Sequence, residues 1–236
     1  MISRRITDQI GFFELPDPPS PYHTGNPSRM QSHDSSRSER IDREKAVCRS
    51  QLIERAGEIT SAEREQASQA IVAGLISWLS RRRHARVCAF FPLPGEPQID
   101  PLWDGPNTPA LTFAFPRILP GPDRRLAWHT IGPSPPVAGP FGIREPDPAT
   151  WPAFDPAASD LILAPGLGFD TSNGARIGHG AGYYDRFLHS LFPRPPVAGV
   201  AYPWQMVTKL PSTNLDIPVD FIATVDGVKR PGAPSF

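Results

Sequence analysis

Apolar residues recur at helical spacing in the stretch SERIDREKAVCRSQLIERAGEI. Ile41, Val47, Cys48, Leu52 and Ile53 mark one face of an amphipathic helix that ends near Gly57. Thr60, followed three residues later by Glu63, has the pattern of a capping box and predicts the start of a second helix. Ala67, Ile71, Leu75, Trp78 and Leu79 form its core face, and Arg81, Arg82 and Arg83 follow, where cations suit the negative end of the helix dipole. From Val87 the pattern changes to short apolar runs. Val87–Phe91, Leu111–Phe115, Leu126–Trp128, Leu161–Ala164, Val197–Tyr202 and Phe221–Thr224 read as strands, with a helix from Tyr183 to Leu191. The run Leu161–Ala164 is apolar throughout, as in a strand covered on both faces. Strands interleaved with helices predict a three-layer α/β/α fold with a mostly parallel central sheet. Dense prolines between Trp103 and Pro156 predict irregular loops and a hairpin there.

Composition adjusts this picture at its ends. Of 236 residues, residues 1–37 are rich in Pro, Ser, Asp and Arg, and are expected to be a disordered extension because they bury little apolar surface. A single domain is expected over 38–226, with a flexible tail at 227–236. Acids and bases balance at 24 each, which leaves no electrostatic footprint for nucleic acid. Cys48 and Cys88 lie far apart and at no metal-type spacing, which fits buried free thiols in a reducing compartment. No apolar run approaches the roughly 20 residues of a membrane span, and the N-terminal stretch lacks a signal-type apolar core. A cytoplasmic monomer acting on small molecules is the expectation.

The candidate chemistry lies in LAPGLGFDTSNGARIGHGAGYYDRFLHSL, residues 163–191. A buried strand delivers the chain to its carboxyl edge, where open α/β sheets bind ligands. Gly178, Gly180 and Gly182 then alternate ahead of the helix at Tyr183. Glycines admit positive φ and carry no Cβ, so successive amides can converge on an anion, and the helix start adds free N–H groups. Neither common nucleotide motif, G-x-x-x-x-G-K-[ST] or G-x-G-x-x-G, is present. On spacing alone, a plain glycine-rich turn is an equal reading.

The full string GLGFD-x-x-x-G-x-R-x-G-x-G-x-GYYDRFL resembles the 5-formyltetrahydrofolate cyclo-ligase (5,10-methenyltetrahydrofolate synthetase) family. Lys45-x-x-x-Arg49, Phe90-Phe91 leading to Glu96, Gly142-Ile143-Arg144-Glu145-Pro146 and Ile217-Pro218-Val219-Asp220 support the resemblance, which runs from about Lys45 to Val225. It implies a fold like that of ribose-5-phosphate isomerase and CoA transferase, and ATP-dependent cyclisation of 5-formyltetrahydrofolate through a phosphorylated formyl group. It further implies ATP binding by Lys45, Arg49, Arg176, Ile177, Gly178, His179, Gly180, Ala181, Gly182, Tyr183 and Tyr184. Folate binding falls to Phe91, Glu96, His179, Gly180, Ala181, Gly182 and Tyr183. Arg176 and Tyr183 are implied as catalytic, and Asp185 and Asp220 as ligands of Mg²⁺. Three positions depart from the family pattern: His179 stands where tyrosine or arginine is usual, and Ala181 where glycine or lysine is common. Leu215-Asp216 stands where many members have His-Asp. A non-catalytic folate- or nucleotide-binding member of the same fold is the alternative reading.

Overall fold

A computed structural model describes residues 30–81, 85–105 and 111–233. Helix α1 spans Met30–Gly57, α2 Ser61–Leu79 and α3 Tyr183–His189. The main sheet comprises β1 (Arg86–Cys88), β2 (Thr112–Ile118), β3 (Leu126–Thr130), β4 (Ala153–Phe154), β5 (Leu161–Ala164), β6 (Val197–Val200), β7 (Phe221–Thr224) and β8 (Gly227–Lys229). Their spatial order is β8-β7-β6-β5-β1-β2-β3-β4. The five strands from β7 to β2 are parallel, with Val87 opposite both Leu161 and Phe113, and Leu163 opposite Ala198. The outer strands β3, β4 and β8 run antiparallel.

Alternation along these strands builds two cores. Val87, Phe113, Phe115, Leu161, Leu163 and Val200 face Ile71, Leu75 and Leu79 of α2. Their neighbours Cys88, Ala114, Ile162, Ala164 and Ile222 face Phe187 and Leu188 of α3 on the other side. The central strands are therefore apolar at every position because both faces are covered, and the three-layer architecture follows. The capping box at Thr60 forms, with Glu63 accepting from the Thr60 amide.

Beside α3, a small sheet of Met206–Val207, Gly168–Asp170 and Arg176–Ile177 covers the same face. The Phe169 ring occupies the space that a Cβ at Gly199 would need. Helix α1 lies on this sheet through Cys48 and Leu52, packed with Ala175, Ile177, Val207 and Leu210.

Several expectations shift. Val47 and Ile53 are 57% and 55% exposed, so they are not part of the buried stripe of α1. The inward stripe includes Lys45 and Arg49, because α1 meets polar loop groups as well as apolar ones. Of the expected N-terminal extension 1–37, residues 30–37 continue into helix α1, and 1–29 lie outside the described residues. Residues 227–229, placed in a flexible tail, form the edge strand β8 against β7. Arg81 sits in the turn beyond α2, and Arg82 and Arg83 lie outside the described residues.

From β1 the chain moves to β2 on one side. From β5 it moves through β6 to β7 on the other. The crevice between the carboxyl ends of β1 and β5 is thus the topological switch point, where such sheets take their ligands.

Candidate functional site

Phe90–Glu96 leaves β1 at this crevice, and Pro165-Gly166 leaves β5 beside it. Glu96 is 4% exposed. Its Oε2 accepts from the Leu93 amide at 3.0 Å, and its Oε1 lies 3.6 Å from His179 Nε2. The two halves of the site, Phe91 and Glu96 on one side and residues 176–182 on the other, lie at least 80 residues apart in sequence and meet here. Phe91 is buried in the core beside this loop: it stacks on Phe115 at 4.2 Å between centroids, and the Arg144 guanidinium lies 4.8 Å above its ring.

On the β5 side, Arg176 is 8% exposed and holds three groups together. Its Nη1 donates to Pro165 O at 3.2 Å, its Nη2 to Asp185 Oδ1 at 2.8 Å, and its Cζ lies 5.6 Å from the Tyr184 ring centre. Arg176 Nε and the Tyr184 hydroxyl are buried without a partner among the described residues. Burial pushes the Tyr184 phenol far above its ordinary value; the Glu96 carboxylate adds to this and Arg176 opposes it. Tyr184 is therefore a neutral donor at neutral pH.

Residues 178–182 form the loop between these groups. Gly180 and Gly182 have φ of 96° and 73°, the left-handed region that glycine enters without strain. The loop's carbonyls are occupied by arginines. Arg49 Nε donates to Gly178 O at 3.0 Å, and Arg124 Nη1 to Ala181 O at 2.6 Å. Arg186 Nη1 reaches Ala181 O and Gly182 O, each at 3.3 Å. Among the described residues, no hydrogen bond uses an amide N–H of 178–182, and Arg49, Arg124 and Arg186 have no carboxylate partner. Free amides and unneutralised guanidinium groups on one short loop make an anion site.

This arrangement coincides with a long match of sequence. Residues 41–225 match the 5-formyltetrahydrofolate cyclo-ligase family. The chain belongs to that family. It is 32% identical over 191 residues to a 5-formyltetrahydrofolate cyclo-ligase of Mycolicibacterium smegmatis, covering 77% of this chain and 94% of that protein. Among solved structures, it resembles the 5,10-methenyltetrahydrofolate synthetase of Aquifex aeolicus with a TM-score of 0.66 at 26% identity, over 81% of this chain and 95% of that one. The synthetase of Mycoplasma pneumoniae shares the fold, with a TM-score of 0.61 at 22% identity over 77% of this chain and 98% of that one.

The other expected residues are placed as follows. Lys45 Nζ binds both carboxylate oxygens of Asp216, at 2.7 and 2.6 Å, one turn from Arg49. Ile177 is buried, with its carbonyl accepting from Leu167 N, so only the chain beyond it lines the loop. Tyr183 opens α3 half-buried, and Asp185 lies in the first turn of that helix.

Asp220 is a correction. It precedes β7, at the amino edge of the parallel strands, where its carboxylate accepts from Arg194 Nη1 at 2.8 Å, Arg194 Nη2 at 3.2 Å and Val197 N at 2.8 Å. The loop 178–182 is at the carboxyl edge, so the structure does not bring Asp220 to it. Asp216 is the carboxylate brought to Lys45. It also stays near α3, because His189 Nε2 meets Leu215 O at 2.9 Å, one helical turn from Asp185. Burial alone would raise the Asp216 carboxyl, but Lys45 and Thr213 hydrogen bonds outweigh it and hold it below its usual range. Its signal in the sequence was the departure Leu215-Asp216. Arg124 gave none, since its contact spans 57 residues.

Among the described residues, no group of three or more His, Cys, Asp or Glu side chains could hold a metal. Asp185, partly exposed beneath the loop, does fit the sparse carboxylate set of Mg²⁺, which completes its shell with phosphate oxygens and water.

Proposed function

We propose that this protein converts 5-formyltetrahydrofolate to 5,10-methenyltetrahydrofolate with consumption of ATP. The observation that carries the reading is the loop 178–182, whose amides are free and whose three arginines lack a carboxylate partner among the described residues, set against the buried carboxylate of Glu96 at the switch point. The anion half receives the nucleotide's phosphates through Arg49, Arg176 and the loop amides. Lys45 joins them on release from Asp216. The acidic and aromatic half receives the folate: Glu96 accepts hydrogen bonds from the pterin's amino and ring N–H groups, with Phe91 and Tyr183 as its apolar walls.

In the reaction, the formyl oxygen attacks the γ-phosphorus and the bond to ADP breaks. The neighbouring amine nitrogen then attacks the activated formyl carbon, and the carbon–oxygen bond breaks to release inorganic phosphate. Such a transfer needs alignment and charge neutralisation more than covalent help. Arg176 is fixed for this by Pro165 and Asp185, so its charge is in place before the substrate arrives. Asp185 would hold Mg²⁺, with Asp216 in the place expected for Asp220; the ion's contribution when bound is neutralisation of the phosphate oxygens. The Tyr184 hydroxyl, neutral and without a partner among the described residues, is available as a donor to ligand.

Two buried free cysteines support a reducing, cytoplasmic setting for a protein that acts on small molecules. No helix among the described residues is long and apolar enough to cross a membrane. The deciding experiment mixes protein, MgATP and 5-formyltetrahydrofolate and follows the absorbance of the methenyl product. Product must appear only when all three are present. Folate binding without ATP consumption would overturn the reading.

A further inference from the structure

Arg124 reaches the loop from the far bank of the crevice. It lies in the connection 119–125 between β2 and β3 and donates from Nη1 to Ala181 O at 2.6 Å. Three features distinguish it from an ordinary surface arginine. Its φ is +53°, a conformation uncommon for a side chain other than glycine, asparagine or aspartate, and one that persists where surroundings impose it. Its loop is stiffened by Pro120 and Pro122 and closed by a Leu119 N to Arg125 O hydrogen bond of 3.0 Å, so little freedom is left to lose on binding. It has no carboxylate partner among the described residues, although it converges with Arg186 on one carbonyl oxygen.

Two guanidinium groups sharing one neutral acceptor repel each other. An anion between them removes the repulsion and uses the donors they leave free. Arg124 spends one of its five N–H donors on Ala181, and the loop amides beside it are unbonded among the described residues. We propose that Arg124 is a phosphate-binding residue that contacts the terminal phosphate of the nucleotide, reaching it from outside the glycine-rich motif. Ala181 brings no charge of its own, so the cations at that point of the loop come from the β2–β3 connection and from Arg186 of α3. The proposal rests on the nucleotide reading of the loop.

The test compares wild type, Arg124→Ala and Arg124→Lys in equilibrium binding of three probes: a non-hydrolysable Mg-ATP analogue, MgADP and 5-formyltetrahydrofolate. Arg124→Ala is expected to weaken the triphosphate analogue about tenfold, MgADP by less than about threefold, and the folate not at all, with Arg124→Lys recovering part of the loss. A merely structural role in holding the loop would weaken all three probes together, and that outcome overturns the proposal. So does an unchanged affinity for the analogue when wild type binds it. A wild-type protein that binds neither nucleotide overturns the reading beneath the proposal, and the proposal with it. Unfolding midpoints of the three proteins confirm that the variants fold.

Discussion

At the scale of single residues, carboxylates decide the outcome, and their surroundings separate them. Asp185 sits 2.8 Å from a guanidinium whose side chain is 4% exposed. In Asp185→Asn the shape is kept, but the charge that would hold a metal is lost, and Arg176 keeps only a neutral partner. Turnover should fall by about 100-fold or more, and stability by about 1–3 kcal/mol. Steady-state assays and urea unfolding read the two effects, and undiminished turnover would remove Asp185 from the metal. Asp216→Asn should also impair turnover and raise the Mg²⁺ requirement. Asp220→Asn should instead leave kcat within about twofold while lowering stability by about 1–3 kcal/mol, since it loosens Arg194 and the start of β6. A kcat collapse in Asp220→Asn would return that residue to the site. The motif placed Asp185 correctly beside the glycine loop because seven consecutive residues form one helix. Asp220 could not be placed that way. Its distance from the loop depends on which edge of the sheet it occupies, and that is a property of topology.

Elements were legible where burial is two-sided. Leu161–Ala164 and Phe221–Thr224 form strands with the expected bounds, since an apolar run flanked by polar turns has few other folded solutions. The small sheet was not legible: Gly168–Asp170 and Arg176–Ile177 are short, and Met206–Val207 joins them from far along the chain. Nor was β8, whose residues are only half-buried at an edge. The same two-sided burial has a measurable consequence at β1. Cys88 is wholly enclosed at the centre of the sheet, and burial pushes its thiol from an ordinary 9.0 up to about 12. A folded-state value raised in this way means that the native state keeps a proton the unfolded chain loses. Stability from this group is full below pH 9.0 and is lost as pH rises from there towards about 12. Wild type should therefore lose up to about 1.4 kcal/mol per pH unit more than Cys88→Ala above pH 9. Urea unfolding at a series of pH values between 8 and about 10.5 measures the difference, in which other titrating groups cancel. Parallel slopes for the two proteins would show that the thiol is reached by water.

For the molecule as a whole, the balance of 24 acids and 24 bases hides an uneven distribution. Lys45 and Arg176 are matched by Asp216 and Asp185, while Arg49, Arg124 and Arg186 have no acidic partner among the described residues and surround five residues of backbone. A neutral protein can thus present a strongly positive crevice, which a charge count along the sequence does not show. Salt acts differently on the two properties. Folding free energy has no large self-repulsion to relieve, so ionic strength should change it little. Nucleotide binding draws a polyanion into a focused positive field, and the screening length shrinks from about 10 Å at 0.1 M salt to about 3 Å at 1 M. Between about 0.05 and 0.5 M KCl, the affinity for the Mg-ATP analogue should fall several-fold, with the urea midpoint nearly constant. Titrations and unfolding curves on the same samples measure both. If analogue affinity stays flat across that range, the arginines around residues 178–182 serve only to hold the loop's carbonyls, and the phosphates bind elsewhere.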